Sequence, residues 1–310
     1  MIKDLFTATV IIGIISSGIR LATPYLYAAI GEMFGQRSGV LNLGVEGQML
    51  LGAFVAYFVV LRTESLLLAI LAAIGVGALM GLAMGFVTIQ LQATQGIAGI
   101  GFYLFGMGMS NLLFQKLIGV VENIDGFSAI KIPLLGDIPV IGEIFFRQNL
   151  LVYLAFLLVP LAWFVLNKTT LGLKIRAVGE NPEAADSLGV NVALVRYFTV
   201  TLGGILSSIA GASLSVALLN VFQQNMTAGQ GFIAVALVYF GSWRPFGILA
   251  GALLFSMVNA LQLWIQVLGI PIPSELAVML PYILTILVLT LSLTKGKGPS
   301  ALTKAFEREG

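Results

Sequence analysis

The sequence predicts an all-α polytopic membrane protein, a single domain over 1–310 with about nine spans (eight to ten) and a cytoplasmic C-terminus. Three observations carry this. Apolar residues make up 58% of the chain and charged residues 10%, against about 25% charged in a soluble domain. Ser65–Gln115 contains no Asp, Glu, Lys or Arg, which leaves room for two spans of about 20 residues each. A polar island, 168–196, stands between long apolar segments.

Hydropathy and breaks place the elements in order. The first apolar segment, 5–36, has Arg20 in its middle and crosses either once or as two short pieces. Spans follow at 40–61, 66–90, 97–118 and 149–167. After the island come 197–219, a short one at 229–242, then 246–268 and 275–294. The N-terminal MIKDLF leads into an apolar run without a small-x-small cleavage site, so this segment is expected to be retained.

Orientation follows from basic residues near span ends. The island holds Lys168, Lys174, Arg176 and Arg196, and the tail holds Lys295, Lys297, Lys304 and Arg308. Four spans separate them, so both lie on one side, the cytoplasm. The long loop 119–148, with Glu122, Asp125, Asp137 and Glu143, is then extracytoplasmic. A single crossing of 5–36 puts the N-terminus outside.

Two spans carry small residues four apart: Gly77, Gly81 and Gly85, then Gly203, Ser207, Gly211 and Ser215. Such ladders line one helix face and let backbones approach closely in lipid. Glycine is common in membrane helices anyway, but two separate ladders favour packing faces.

The stretch Gly31–Gly52 puts Arg37, Asn42, Glu46 and Gln48 at the mouth of a span. Asn42 and Glu46 share a helix face. Ionisable groups at membrane depth are paired or functional. Two readings stand: a glycine-broken segment (Gly39, Gly44, Gly47) lining a pathway or gate, or Glu46 paired with Arg37 or Arg20 to lock helices together. A second break, Gly-Ser-Trp-Arg-Pro-Phe-Gly at 241–247, follows a short apolar segment and hints weakly at an internal repeat.

The island is patterned. Gly172, Lys174 and Arg176 form a glycine-bounded basic strip, and Asn181-Pro182 opens Glu183-Ala184-Ala185, running on to Gly189. An Asn cap followed by Pro is a strong helix start. The island reads as a small, rigid, solvent-facing helix that a soluble partner could grip.

There is no Cys and no His, so disulfides, thiol nucleophiles, Cys/His metal sites and imidazole bases are excluded. No catalytic or metal-binding residues are expected, and a membrane-embedded enzyme is disfavoured. A net charge of +2 gives no reason to expect nucleic acid. The intramembrane polar inventory is mostly amides: Asn111, Gln115, Asn220, Gln223, Gln224, Asn225, Asn259 and Gln262, beside Tyr103, Trp243 and Trp264. Uncharged donors beside aromatics suit a neutral, hydroxylated, ring-containing solute. Pathway or gate candidates are therefore Asn42, Glu46, Gln48, Asn111, Asn220, Gln223 and Trp243. With Glu46 as a proton or sodium site, an ion-coupled secondary transporter is the alternative reading.

Three blocks, SGVLNLGVEGQMLLGA (38–53), TTLGLKIRAVGENPEAADSLGVNVALVR (169–196) and AGQGFIAVALVYFGSWRPFGILAGALL (228–254), resemble the permease subunits of bacterial ABC importers in the ribose, branched-chain amino acid and nucleoside group. The first block is similar to the nucleoside and simple-sugar subgroup, with Gln36 where that subgroup often has Glu. The resemblance implies one half of a translocation pathway in the cytoplasmic (inner) membrane for a nucleoside or related simple sugar. It implies that Gly172, Arg176, Asn181, Pro182, Glu183, Ala184, Ala185 and Gly189 form the segment that docks on a cytoplasmic ATPase. No G-x-x-x-x-G-K-[ST] occurs here, so ATP and Mg would sit on that separate chain and this one would bind no cofactor. Further implied partners are a second permease (a paralogue, giving a heterodimer), an extracytoplasmic substrate-binding lipoprotein that meets loop 119–148, and the lipid bilayer.

Overall fold

The structure is a computed structural model. It describes residues 7–269 and 298–307, with scattered helical positions between 276 and 290. The expected span 275–294 therefore lies largely, and Lys295, Lys297 and Arg308 wholly, outside the described residues. Among the described residues, seven helices are long and apolar enough to cross a membrane.

The first, α1 (Ala8–Arg37), is one continuous helix with Pro24 inside it. At 30 residues it is about 45 Å long, more than the roughly 30 Å hydrocarbon core. The open choice over 5–36 is thus settled as a single crossing. Arg20 is not at mid-depth. Its Nη2 donates to Ser16 Oγ at 3.3 Å, and Ser16 Oγ in turn accepts from Gln148 Nε2 in the outer loop. The surplus length projects outward and leaves Arg20 one turn below that loop.

Next come α2 (Val45–Thr63), α3 (Leu66–Gly85, running on through a wide turn at Phe86–Gln90) and α4 (Gln95–Leu117). The outer loop pairs β1 (Ile130–Lys131) with β2 (Arg147–Gln148) in antiparallel fashion, and between them lie a single turn, Leu135–Asp137, and α5 (Ile141–Phe145). Its backbone is tied to the outer end of a later helix by Ile124 N–H to Asn220 O and Phe127 N–H to Val216 O. One of the expected acidic groups, Asp137, is engaged by Lys131 at 2.5 Å. That hydrogen bond holds its carboxyl below the usual carboxylate range.

The chain returns through α6 (Leu150–Lys168), capped by Asn149, whose side chain accepts from Val152 N at 3.1 Å. The island then forms two helices, not one: α7 (Thr170–Glu180) and α8 (Pro182–Ser187). The helix over 170–180 was not expected from the sequence. The chain reverses at Thr169, and Gly172 lies against the Val165 and Leu166 carbonyls, where a Cβ has no room. After α9 (Val192–Ser213, extended by a wide turn over Leu214–Leu218) come α10 (Gln230–Phe240) and α11 (Pro245–Val267).

The core is organised around α9, which packs on α1, α2 and α3. Both small-residue ladders are packing faces. Gly77 and Gly81 meet the α9 backbone at Gly204 and Thr201, while Gly211 lies against the Met49 carbonyl of α2. Ser215 Oγ bonds Ala53 O at 2.8 Å. Where lipid supplies no hydrophobic drive between helices, such close backbone contact is what holds them. Segment 298–307 folds back over the island, with Ala301 N bonded to Gly179 O at 2.9 Å. Tail and island thus share one face, the basic one, which the positive-inside rule makes cytoplasmic.

This packing yields a paired expectation. Gly211→Ala forces a methyl into the Met49 carbonyl and costs about 1–3 kcal/mol by overpacking. Gly75→Ala, on the same bundle but with nothing within 4 Å, leaves the thermal midpoint unchanged or raised. Unfolding curves of the two purified variants in detergent check the contrast; equal midpoints would refute it.

Candidate functional site

The break between α1 and α2 builds the first half of the site. Arg37 ends α1, and Gly39, at φ 95°, turns the chain back into the membrane. Irregular backbone at this depth must be hydrogen-bonded internally, and here side chains do it. Gln95 Oε1 accepts from Leu41 N at 2.8 Å, Glu32 Oε1 from Asn42 N at 3.0 Å, and Asn42 Oδ1 from Gly44 N at 2.8 Å. Asn42 Nδ2 then donates to Gln48 Oε1 at 3.1 Å. On the far side, Gly47 sits against Phe102, Tyr103 and Gly106. These lie seven to eleven residues into α4, or roughly 10–17 Å from its cytoplasmic end at 1.5 Å per residue.

The second half is α10. At 11 residues it is about 16 Å long, half a bilayer core. It runs from membrane mid-depth to the cytoplasmic turn at Gly241–Arg244. Its N-terminus meets Glu46, which is 1% exposed. Glu46 Oε1 accepts from Thr227 Oγ1 at 2.5 Å and Gly229 N at 2.7 Å, and Oε2 accepts from Gly231 N at 2.6 Å. Glu46 also lies in the first turn of α2, so the positive ends of a full-length helix, α2, and a half-length one, α10, converge on one carboxyl group. The structural alternative of a Glu46 ion pair is corrected here. Arg37 donates to Trp243 O from Nε and Nη2, and Arg20 lies one turn below the outer loop; Thr227 and the N–H groups of Gly229 and Gly231, not a cation, hold the Glu46 side chain.

The α10–α11 turn is fastened to α1. Ser242 and Trp243 both have left-handed backbone, φ 51° and 53°, which non-glycine residues hold only under restraint. Trp243 Nε1 donates to Gln36 Oε1 at 2.8 Å, and Gln36 Nε2 donates to Glu32 Oε1 at 2.9 Å. Glu32 and Gln36 escaped the sequence reading as site residues. Their signal was available, since two polar residues four apart in an apolar helix share a face.

The pathway candidates are therefore strung along the membrane normal. Asn42, Glu46 and Gln48 are buried at mid-depth, and Trp243 is buried at the cytoplasmic end. Asn220 lies at the outer end of α9, its Oδ1 enclosed without a partner among the described residues. Gln223 is exposed beside it, and Asn111 is half-buried on the outer half of α4. No cluster of three or more His, Cys, Asp or Glu side chains that could hold a metal occurs among the described residues.

On the cytoplasmic face, α8 starts as the Asn-Pro pattern predicts. Asn181 Oδ1 accepts from Ala184 N at 3.0 Å with Pro182 at the first helical position, and Gly189 at φ 82° ends the turn. Of the island candidates, Gly172 and Ala185 are turned into the protein. Arg176 is half-buried, with Nε near Gly172 O. Glu183 and Ala184 are exposed, joined by Leu188 at 86% exposure, which the sequence reading passed over. Arg196, read there only as a topology charge, is buried at 2%. It donates to Ser38 O and Lys304 O, joining the α1–α2 break to the tail.

The carboxylate clamp makes a definite prediction. Glu46→Gln is not a silent swap, because one amide nitrogen must face a backbone N–H of Gly229 or Gly231. An unpaired buried donor costs about 1–3 kcal/mol. Glu46→Ala leaves three donors stranded and costs more, while Thr227→Val loses a single bond. Thermal midpoints in the order wild type, Thr227→Val, Glu46→Gln, Glu46→Ala are expected; a Gln variant as stable as wild type would show that the clamp does not hold α10.

Comparison with known proteins agrees with this architecture. A family profile described as the permease component of the branched-chain amino acid transport system matches residues 14–289. The nucleoside ABC transporter permease protein NupC of Lactococcus lactis is 38% identical over 93% of this chain and 94% of its own length. The guanosine ABC transporter permease protein NupQ of Bacillus subtilis is 36% identical over 93% and 94%. A Haloferax volcanii ABC transporter permease protein named for glucose is 38% identical over 96% and 98%. No solved structure matches. With the match running from within α1 to beyond α11, the chain belongs to the branched-chain amino acid transport system permease family and is the integral-membrane permease subunit of an ABC importer.

Proposed function

We propose that this subunit forms one half of a pathway for a nucleoside or related simple sugar in the cytoplasmic membrane, driven by a separate ATP-hydrolysing chain that carries the ATP and Mg. The observation that carries the reading is the α7–α8 platform: a capped helix pair on the basic face, tied through Gly179, Arg196 and segment 298–307 to the α1–α2 break. A self-contained ion-coupled carrier has no need of such a platform. Two of the relatives are named for nucleosides and one for glucose, which supports a neutral, hydroxylated cargo and agrees with the amide-rich, ion-poor interior.

Bacillus subtilis has a second guanosine ABC transporter permease protein, NupP, only 26% identical to this chain. The presence of two unlike guanosine permease proteins in one organism supports a heterodimer, with a paralogue as the other half and an extracytoplasmic binding lipoprotein delivering cargo to the outer loop. The docking face for the ATPase is the exposed side of α8: Glu183, Ala184, Ser187 and Leu188. Asn181, Pro182 and Gly189 shape it, while Gly172 and Ala185 seat it from within.

Leu188→Asp tests the platform. It places a charge on a side chain already in solvent, so folding and membrane insertion are unaffected. Substrate-stimulated ATP hydrolysis by the reconstituted complex falls by more than about tenfold, the scale of a central interface residue. Undiminished stimulation would remove α8 from the interface. Ala185→Trp cannot serve, because that position is buried and the larger ring would unseat α8.

A second assay addresses energy and cargo. In vesicles containing the paired permeases, ATPase and lipoprotein, uptake of labelled guanosine requires ATP. Accumulation by this chain alone under a proton or sodium gradient would overturn the importer reading for a secondary transporter.

A further inference from the structure

A cleft of about 840 Å3 opens on the basic face between the inner ends of α1 and α6, helix α7 and the α10–α11 turn. Three guanidinium groups line it: Arg37, Arg176 and Arg244. Arg37 feels the charge of both others. Its Nε and Nη2 are held on Trp243 O at 3.0 and 2.8 Å, which fixes its direction. A fourth cation, Lys168, sits 5.8 Å from the centre of the Trp163 ring on the cleft wall. The carboxylate that acts on Arg37 is Glu180, itself bonded to Ser300 Oγ at 3.0 Å. Among the described residues neither Arg176 nor Arg244 has a carboxylate within ion-pair distance; the ion pairs there are those of Asp137 in the outer loop. Three guanidinium groups thus line one cleft, with Lys168 beside its wall and one carboxylate, Glu180, acting on Arg37.

The opposite wall is apolar and faces outward. Trp163 and Phe246 pack at 6.4 Å between ring centres and are 40% and 52% exposed. Leu161 and Phe164 of α6 are each 53% exposed and add apolar surface elsewhere around the same helix. Aromatic rings at this level mark the bilayer interface. Basic pockets between spans on the cytoplasmic side suit phospholipid head groups. A small soluble anion needs the cations but gains nothing from the apolar wall.

We propose that this cleft binds the phosphate head group of an anionic phospholipid of the cytoplasmic leaflet, with its acyl chains lying along α6 and α11. The occupied site would neutralise the guanidinium groups that fasten and flank the Trp243 turn.

Native mass spectrometry of the full chain, released from detergent carrying cardiolipin, phosphatidylglycerol or phosphatidylethanolamine, tests it. The wild type retains the two anionic lipids and not the zwitterionic one. Each cation near a membrane surface contributes a factor of about five, so Arg244→Gln lowers retention about fivefold and Arg176→Gln with Arg244→Gln about twenty-five-fold. Arg244→Lys keeps most of it, and Arg62→Gln at the outer end of α2 changes nothing. Circular dichroism melts show whether each variant is folded, and only folded variants are compared. Equal retention of all three lipids, or loss with Arg62→Gln as large as with Arg244→Gln, overturns the proposal. Displacement of cardiolipin by millimolar inorganic phosphate assigns the cleft to a small free anion and overturns the lipid. An unchanged cardiolipin count in a folded Arg176→Gln, Arg244→Gln variant also overturns it.

Discussion

The rest of the structure depends on one requirement: peptide groups inside hydrocarbon must be hydrogen-bonded by the protein itself. Two segments leave helical form at depth, 38–44 and the run into α10, and each exposes N–H groups with no helical partner. The protein answers with side chains drawn from distant parts of the chain. Gln95 and Glu32 serve the first break, and Glu46 serves the second. Because Glu46 belongs to the element that follows the first break, the two irregular segments are bonded to each other. Neither can move far without stranding polar groups in the other.

This requirement also explains why the bundle packs so closely. Side-chain bonds to irregular backbone span short distances, so the helices carrying them must approach nearly to backbone contact. Gly47 against Tyr103, Gly211 against Met49 and Gly231 against Glu46 are such approaches. The small residues of α9 do more than stack helices. They set the spacing that brings Glu46 within reach of the α10 N-terminus.

Much of this was legible in the sequence, and the limits have physical causes. Period, apolar length and the charge-free run gave the spans, since a membrane forces helices to declare themselves. The Asn-Pro start of α8 was legible because capping is local. The partner of Glu46 was not, because it lies 181 to 185 residues away and is mostly backbone, which has no letter in a sequence. Arginine is the default guess for a buried carboxylate; here helix ends replace it. Arg196 was only half legible for a related reason. A basic residue beside a span reads as a topology signal, and only its carbonyl partners at Ser38 and Lys304 reveal it as a buried tie. The α7 helix was obscured by its glycines, which read as loop punctuation but are there for close contact with α6 and α1.

These ties bear on how force could travel through the subunit. A signal arriving at α8 would meet Ala185, buried beneath it, and α7 beside it. From α7, Gly179 holds Ala301 of the tail, Thr303 holds Gly39, and Arg196 spans Ser38 and Lys304. Gly39 opens the break that leads, within seven residues, to Glu46 and the α10 N-terminus. Hydrogen bonds and packed backbone therefore connect the platform to the mid-membrane junction without a break. Whether a displacement at the platform opens the junction depends on a competing arrangement for the three donors on Glu46. The enclosed amides at Gln48 Nε2 and Gln230 Oε1, without partners among the described residues, lie on the two segments that meet there. They supply spare donor and acceptor capacity with which a second arrangement could be built.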